Sequence, residues 1–341
     1  MMMLSLQSIQ QGWQRGEPAP QAYFTFINDA WHPIGTQALA NPPATGVPLS
    51  FSVLSWNIDF MRPLADARMK AALQHLDSLV TGRTGESVIM LNEMVDSDLE
   101  LIGSTDWVRR HYNMTDLSAE NWELQGYGTC MLVPKSMPIK RVFRVHYERT
   151  SMQRDALFVD VVLPQDKTLR LCATHLESLK AYPPKRPSQL STAARYLRQA
   201  HAGVLAGDLN AIEPFDQTLH AENGLKDAYL ETGGQEGAES GMTWGQMAGH
   251  SQRERFGLSR MDKILFCGGL AVSGFGTFGM DVEVESEADR EELIRSRHLE
   301  KGWVTDHLGV KGDFRIELPA MAAEESTTRE GREQELAHKL S

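Results

Sequence analysis

The sequence predicts an α/β chain. Short β-branched or apolar runs alternate with polar loops, two longer segments carry helical apolar spacing, and no internal repeat is present. The strand candidates are, in order, FSVLSW (51–56), SVIMLN (87–92), GTCMLV (128–133), ALFVDVVL (156–163), LRLCAT (169–174), AGVLAG (202–207), MDKILF (261–266) and LGVKGDF (308–314). One helix is predicted over 64–80, where Leu64, Met69, Leu73, Leu76 and Val80 recur on one face. A second is predicted over 188–201, entered through Pro187.

Residues 1–50 read as an N-terminal extension: an aromatic stretch (Tyr23, Phe24, Phe26, Trp31) followed by the Pro/Gly-rich linker NPPATGVPLS at 41–50. The main domain is expected over 51–316. Residues 317–341 read as an acidic, disordered tail. A chain of 341 residues that is 41% hydrophobic has the apolar material for a sizeable core. The start of the chain lacks a basic segment and a signal-peptide apolar run, and no stretch reaches a membrane span, so no membrane partner is expected. Cys130, Cys172 and Cys267 form no CxxC pair, which argues against a disulfide framework or zinc knuckle and favours a reducing, intracellular setting.

The net charge of −11 argues at first against a nucleic-acid binder. Residues 281–341 nevertheless hold 16 acidic and 9 basic residues, so much of the excess is local to the C-terminal part. Two segments are locally basic. Between Glu177 and Asp208 there is no acid, while Lys180, Lys185, Arg186, Arg195 and Arg198 are present; residues 134–154 carry six basic side chains against Glu148 alone. Both are expected to lie where a phosphodiester backbone runs.

Chemistry concentrates where predicted strands end or begin. Asn57 and Asp59 follow FSVLSW, Glu93 follows SVIMLN, His175 and Glu177 follow LRLCAT, and Asp208 and Asn210 follow AGVLAG. Asp262 opens MDKILF, and Asp306 and His307 precede LGVKGDF. A single Asn or Asp at such a junction usually serves its own loop. Repetition at one junction after another is what favours a site. Carboxylates, carboxamides and two histidines, without cysteine, suit a hard cation such as Mg²⁺ or Mn²⁺. The same inventory supplies what phosphate-ester hydrolysis needs: charge neutralisation, a carboxylate for water, and a donor for the transition state.

The ordered motifs SWNID (55–59), LNEM (91–94), THLES (174–178), GDLNA (207–211), RMDKILF (260–266) and TDHLGV (305–310) resemble the endonuclease/exonuclease/phosphatase superfamily, which is DNase I-like. The resemblance implies a four-layered α/β sandwich, two packed mixed β-sheets flanked by helices. It implies that Glu93 binds the metal, helped by Asn57 and Asp59. Asp208 would orient and deprotonate the attacking water, Asn210 bind the scissile phosphate, and His307 donate to a phosphate oxygen. Asp262 would hold the His307 imidazole, Asp306 complete the metal side, and His175 contact phosphate. LNEM carries Asn92 where relatives usually have Gln, a shorter amide.

Among branches, WNID, GYGTCML (126–132), MQRDALFVDV (152–161), THLES and MTW (242–244) are most similar to the 5′-tyrosyl-DNA phosphodiesterases. That resemblance implies a Mg²⁺-dependent enzyme of DNA repair acting on DNA 5′ ends that carry phosphotyrosyl adducts and binding single-stranded DNA, with a nuclear location. It further implies substrate contacts from Ser178 and Trp244, and Tyr127 along the groove. An abasic-site nuclease, a phospholipase-like hydrolase and a non-catalytic nucleic-acid or partner-binding protein are the alternatives.

Overall fold

The computed structural model describes residues 12–35, 47–82, 85–123 and 126–319. Three short strands open it: β1 (Pro18–Gln21), β2 (Tyr23–Ile27) and β3 (Ala30–Ile34). Then come β4 (Ser50–Asn57), helix α1 (Ala65–Val80), β5 (Glu86–Met94), helix α2 (Asp96–Ser104), β6 (Tyr112–Met114), β7 (Gly128–Pro134), β8 (Ile139–His146), β9 (Asp155–Val162) and β10 (Thr168–Thr174). Helix α3 (Arg186–Leu197), β11 (Ala202–Asp208), β12 (Lys226–Asp227), helix α4 (His250–Phe256), β13 (Asp262–Gly268), β14 (Leu270–Phe278), helix α5 (Glu287–Arg297) and β15 (Gly309–Ile316) complete it.

All eight predicted strands form. They assemble into a seven-stranded sheet of order β1-β8-β9-β10-β11-β13-β12 and an eight-stranded sheet of order β14-β15-β4-β5-β7-β6-β2-β3. Each sheet is mixed, with one parallel pair at its centre: β10 with β11 in the first, β4 with β5 in the second. Strand alternation then sorts the side chains. Val53, Val88, Met90, Leu171, Val204, Ile264 and Phe314 point into the space between the sheets and form one core. The opposite face of the eight-stranded sheet, with Leu54, Trp56, Ile89 and Leu91, packs under Met69, Leu73 and Leu76 of α1. Phe158, Cys172 and Leu205 of the other sheet pack under Leu190, Ala194 and Leu197 of α3. The result is the expected four-layered α/β sandwich, helix on sheet on sheet on helix.

The N-terminal segment is woven into this sandwich. β1 pairs with β8 at the edge of one sheet and β2 pairs with β6 near the edge of the other, so residues 18–34, read from sequence as an extension ahead of residue 51, supply strands to both. Trp13 stacks on His146 at 3.8 Å, and Arg15 bonds Glu123 and the Tyr147 carbonyl. The linker reading falls mostly on residues 36–46 and the tail reading on 320–341, outside the described residues. The second helix ends at Leu197, four residues earlier than expected.

Candidate active site

The two parallel pairs bring four strand ends to the same rim. Asn57 ends β4, Glu93 lies in the last turn of β5, His175 follows β10 and Asp208 ends β11. The antiparallel partners of β11 and β4 start at that rim, so Asp262 sits directly across from Asp208 and His307 precedes β15. Side chains separated by up to about 250 residues thus meet because of topology alone. The local backbone is held in unusual conformations to do it. Asp59, Glu93 and Asn210 all have positive φ, of 54°, 61° and 48°. Such angles disfavour a β-carbon and persist where the surroundings over-determine them. Gly207, at φ 151°, allows β11 to approach β10 so closely that a β-carbon would lie 1.8 Å from the Thr174 carbonyl oxygen.

Asp208 is the hub. Its Oδ1 accepts the Asn210 N–H at 2.8 Å, and its Oδ2 accepts Asn57 Nδ2 at 3.0 Å and faces His175 Nε2 at 3.3 Å. Asn92 ties the hub down: its Oδ1 accepts the Asp208 N–H at 3.1 Å while its Nδ2 donates to the Thr174 carbonyl at 3.3 Å. The short amide therefore reaches across three strand ends. Burial opposes the charged form of Asp208, but the His307 charge and the bond from His175 outweigh it and hold the carboxyl below the ordinary carboxylate range.

His307 is gripped from both sides. Its Nδ1 donates to Asp262 Oδ2 at 2.8 Å, and its Nε2 points toward Asp208 Oδ2 at 3.8 Å and Asp306 Oδ1 at 3.9 Å. Burial lowers the imidazole pKa, yet the charges of Asp262, Asp208 and Asp306 together raise it well above its ordinary value. These charges favour the protonated ring, whose Nε2–H is aimed toward Asp208 and Asp306. Thr243 receives the Asp262 N–H at 3.0 Å, Trp56 Nε1 donates to the His307 carbonyl at 3.0 Å, and Thr305 Oγ1 bonds the Asn57 carbonyl at 2.8 Å, so the pair rests on buried supports.

The family pattern for endonucleases, exonucleases and phosphatases matches residues 54–307, which span this whole rim. The chain belongs to the endonuclease/exonuclease/phosphatase family. Membership implies a hydrolase acting on phosphate esters, typically dependent on a divalent metal. Among solved structures, D. rerio TDP2 complexed with single strand DNA product is similar with a TM-score of 0.61 and 20% identity, over 78% of this chain and 99% of that one. Truncated Caenorhabditis elegans TDP2 gives 0.58 and 21%, over 78% and 98%. The human Nocturnin catalytic domain with bound sulfate anion gives 0.52 and 14%, over 80% and 96%. At these identities the likeness establishes the fold. No curated protein sequence matches the chain.

The donor set of this family member fits a hard divalent cation. Asp59, Glu93 and Asp306 line one cleft of about 200 Å³ with His307 and Arg62. Glu93 is pushed up to about 7 by burial and by the neighbouring Asp59 charge, and Asp59 is raised by burial and by Asp306. Burial and mutual repulsion outweigh the nearby Arg62, Arg154 and His307 charges, and a cation bound among these oxygen ligands would offset that repulsion. The tightest ligand-type groups are Glu93, His175 and Asp208, and Asp208, Asp262 and His307; Asp59 and Asp306 stand outside both. Asp59 Oδ2 is already paired with Arg62 Nε at 3.0 Å.

Three sequence expectations change here. His175, expected to touch phosphate, is 3% exposed and has both nitrogens engaged: Arg154 donates to its Nδ1 at 2.6 Å, so the proton lies on Nε2 and faces Asp208. Burial first, and the Arg154 charge next, depress its pKa to about 4, which keeps the ring neutral. Trp244, expected to contact a nucleotide, is 8% exposed, and its Nε1–H donates to Asp306 Oδ2 at 2.8 Å. Both are buried because each satisfies a buried acid. Ser178 stands against the Met152 sulfur, and Tyr127 is stacked on Phe60 at 4.1 Å.

The third change concerns the basic segments. Lys185 pairs with Glu177 at 3.0 Å, Arg186 is buried against Asp216 at 2.7 Å, and Arg195 bonds the Gly16 carbonyl. In the other segment Arg141 pairs with Asp160, Arg144 lies buried between Asp116 and Asp155, Lys135 bonds the Phe26 and Arg109 carbonyls, and Arg154 serves His175. Buried carboxylates need partners, and Arg141, Arg144, Lys185 and Arg186 meet that need. Arg154 is the functional-site residue that residue-type reasoning missed. Its signal was its place in MQRDALFVDV, whose guanidinium also lies 5.0 Å over the Tyr127 ring.

Proposed function

We propose that the chain is a Mg²⁺-dependent phosphodiesterase that hydrolyses 5′-phosphotyrosyl–DNA bonds, leaving a 5′-phosphate and free tyrosine. The observation that carries the hydrolytic part is the facing pair of Asp208 and His307: one buried carboxylate and one buried imidazole, 3.8 Å apart beside a cleft lined by carboxylates. The tyrosyl-DNA part is supported by the motif order and by the fold shared with TDP2, one structure of which holds a single strand DNA product.

The geometry supports the following roles. Glu93, with Asp59 and Asp306 on the same cleft, would hold Mg²⁺ or Mn²⁺. Bound there, the cation supplies neutralisation of the phosphoryl oxygens and a lowered pKa for coordinated water. Asp208 would orient the attacking water and receive its proton, while Asn57 and the Asn210 N–H fix the carboxylate. The Asn210 amide, with Nδ2 on the Leu176 carbonyl at 3.1 Å, turns its remaining N–H to the scissile phosphate. His307 Nε2–H donates to the phosphate oxygen on which charge builds up, and Asp262 keeps that proton in place. Ser178 and the Tyr127–Phe60 stack form the side of the groove where a leaving group or flanking nucleotide rests.

A second reading, a hydrolase of a smaller phosphate ester, is favoured by the internal pairing of the basic segments, which leaves fewer cations for a long polyanion. A substrate panel with matched Mg²⁺ separates the two. The leading reading expects release of 5′-phosphorylated strand from a 5′-tyrosyl oligonucleotide at a kcat/KM at least about tenfold above abasic-site DNA and sphingomyelin, a margin worth about 1.4 kcal/mol in the transition state. Turnover of the others alone refutes it.

A further inference from the structure

We propose that Arg297 holds a second phosphate of the substrate, outside the scissile group, and so makes this chain prefer a strand of linked phosphodiesters over a compact ester with one phosphate. The inference rests on the phosphodiesterase reading above. Arg297 lines the same cleft as Asp59, Glu93, Asp306 and His307. It is exposed, and among the described residues its side chain has no hydrogen-bond or ion-pair partner. The other cations around the cleft are committed: Arg62 to Asp59 and the Trp303 and Met247 carbonyls, Arg154 to His175, Lys185 to Glu177. Arg297 is the guanidinium in this cleft left free to meet an incoming anion.

Its backbone is well placed to hold it there. Arg297 is the last residue of α5, and the chain reverses at His298 with φ 53°. The Leu299 N–H returns to the Ile294 carbonyl at 3.2 Å, and Leu293 and Leu299 are buried against the core, which pins the helix end. Gly249, the residue before α4, lies so close that a β-carbon there would sit 2.9 Å from the Arg297 carbonyl oxygen, so α4 and α5 abut. Gln252 of α4 lines the cleft beside it. A guanidinium and a carboxamide on an anchored helix junction, in the same cleft as a site for one phosphoryl group, offer the contacts strand recognition uses, in which non-reacting phosphates fix register.

Arg297→Gln, Arg297→Lys and the control Arg295→Gln, whose arginine pairs with Glu292 on the same helix, test this. Each is assayed with Mg²⁺ on a 5′-tyrosyl oligonucleotide and on bis(p-nitrophenyl) phosphate, which has one phosphate. Binding of a 5′-phosphorylated single strand is measured in parallel against salt, in an Asp208→Asn background. The expected result is a KM for the oligonucleotide raised about five- to twentyfold in Arg297→Gln, with kcat within about twofold and the small ester unaffected. The salt slope of strand binding should shrink by about 0.7, one phosphate contact on a single strand. Arg297→Lys should recover part of the loss and Arg295→Gln should match the wild type. Equal losses on both substrates, equal strand affinities with and without Arg297, or an equal effect of Arg295→Gln overturns the proposal. If the wild type leaves the tyrosyl oligonucleotide uncut, the tyrosyl-DNA reading fails, and the strand-binding arm still decides the role of Arg297.

Discussion

His307 Nδ1 donates to Asp262 Oδ2 at 2.8 Å while Nε2 of the same ring faces Asp208 Oδ2 at 3.8 Å, so a single imidazole is anchored by one acid and aimed toward another. Asp262 is itself fully buried, pushed up to about 6 by that burial, and its Oδ1 has no hydrogen-bond partner. Its retention in the core makes sense through the imidazolium it sustains. Asp262→Asn keeps the shape but offers His307 no charge, and a loss of about 10²–10⁴ in kcat with little change in KM is expected. Steady-state kinetics on any accepted substrate checks this; a loss confined to KM would mean that the pair binds substrate and does not serve the transition state.

The indole of Trp244 reaches Asp306 through its N–H, which separates two ways in which a tryptophan can serve a site. Trp244→Phe keeps an aromatic face and removes the donor. The geometry predicts a fall of about five- to fiftyfold in kcat together with weaker Mg²⁺ activation, because the freed carboxylate moves. A stacking role would leave Trp244→Phe near wild type, so a titration of rate against Mg²⁺ for the two proteins distinguishes them.

Glu93 is pushed up to about 7 by burial first and by the Asp59 charge next, which outweigh the Arg154 and His307 charges. Chelation should abolish activity, and re-addition of Mg²⁺ or Mn²⁺ should restore it. Calorimetry of the metal-free protein should show that Glu93→Gln weakens Mg²⁺ binding by at least about tenfold, the loss of one charged ligand. Full activity in excess chelator would contradict the assignment of these acids.

Away from the site, Asp98 in α2 accepts the Val95 N–H at 3.0 Å yet is pushed up to about 6 by burial, with its other oxygen unpartnered. A carboxyl raised in the folded state favours folding when protonated, so its contribution is complete below the unfolded value near 4 and is lost as pH rises through about 6. Asp98→Asn, which keeps an acceptor and drops the charge, should therefore be more stable than wild type at pH 8 by about 1–3 kcal/mol, a few degrees in Tm, and the gap should fall to about half at pH 5. Thermal melts at the two pH values check the sign.

Gly207→Ala is expected to be the most damaging single-atom addition at the rim, since its β-carbon would have to displace the Thr174 carbonyl and force Ala into an unfavourable φ. A loss above about 4 kcal/mol, or failure to accumulate folded protein, is expected, with circular dichroism as the measurement.

Much of the architecture was legible because the central strands are apolar on both faces, as at SVIMLN and AGVLAG, and such runs announce themselves without context. What escaped were elements whose burial is one-sided or supplied by others. β8, IKRVFRVH, interleaves charge with apolar residues and was read only as a basic segment, although its arginines point at buried acids. β14, LAVSGFGTF, hides behind three residues of glycine and serine, and α5 buries Leu293 alone among its eleven residues. The strands β1 and β2 depend on partners more than 80 residues away. At the site, residue types and rim positions pointed to Asn57, Glu93, Asp208, Asp262 and His307, which the topology gathers. The tautomer of His175 and the inward turn of Trp244 depend on Arg154 and Asp306, contacts that no local spacing encodes.

The central claim is that water, oriented by Asp208, attacks phosphorus and expels tyrosine from a DNA 5′ end. The most direct test is hydrolysis of a 5′-tyrosyl oligonucleotide in ¹⁸O-water with Mg²⁺, followed by mass analysis of both products. One ¹⁸O in the 5′-phosphate, none in tyrosine, and no product from Asp208→Ala is the predicted result. Label in the tyrosine, or an undiminished yield from Asp208→Ala, would contradict it.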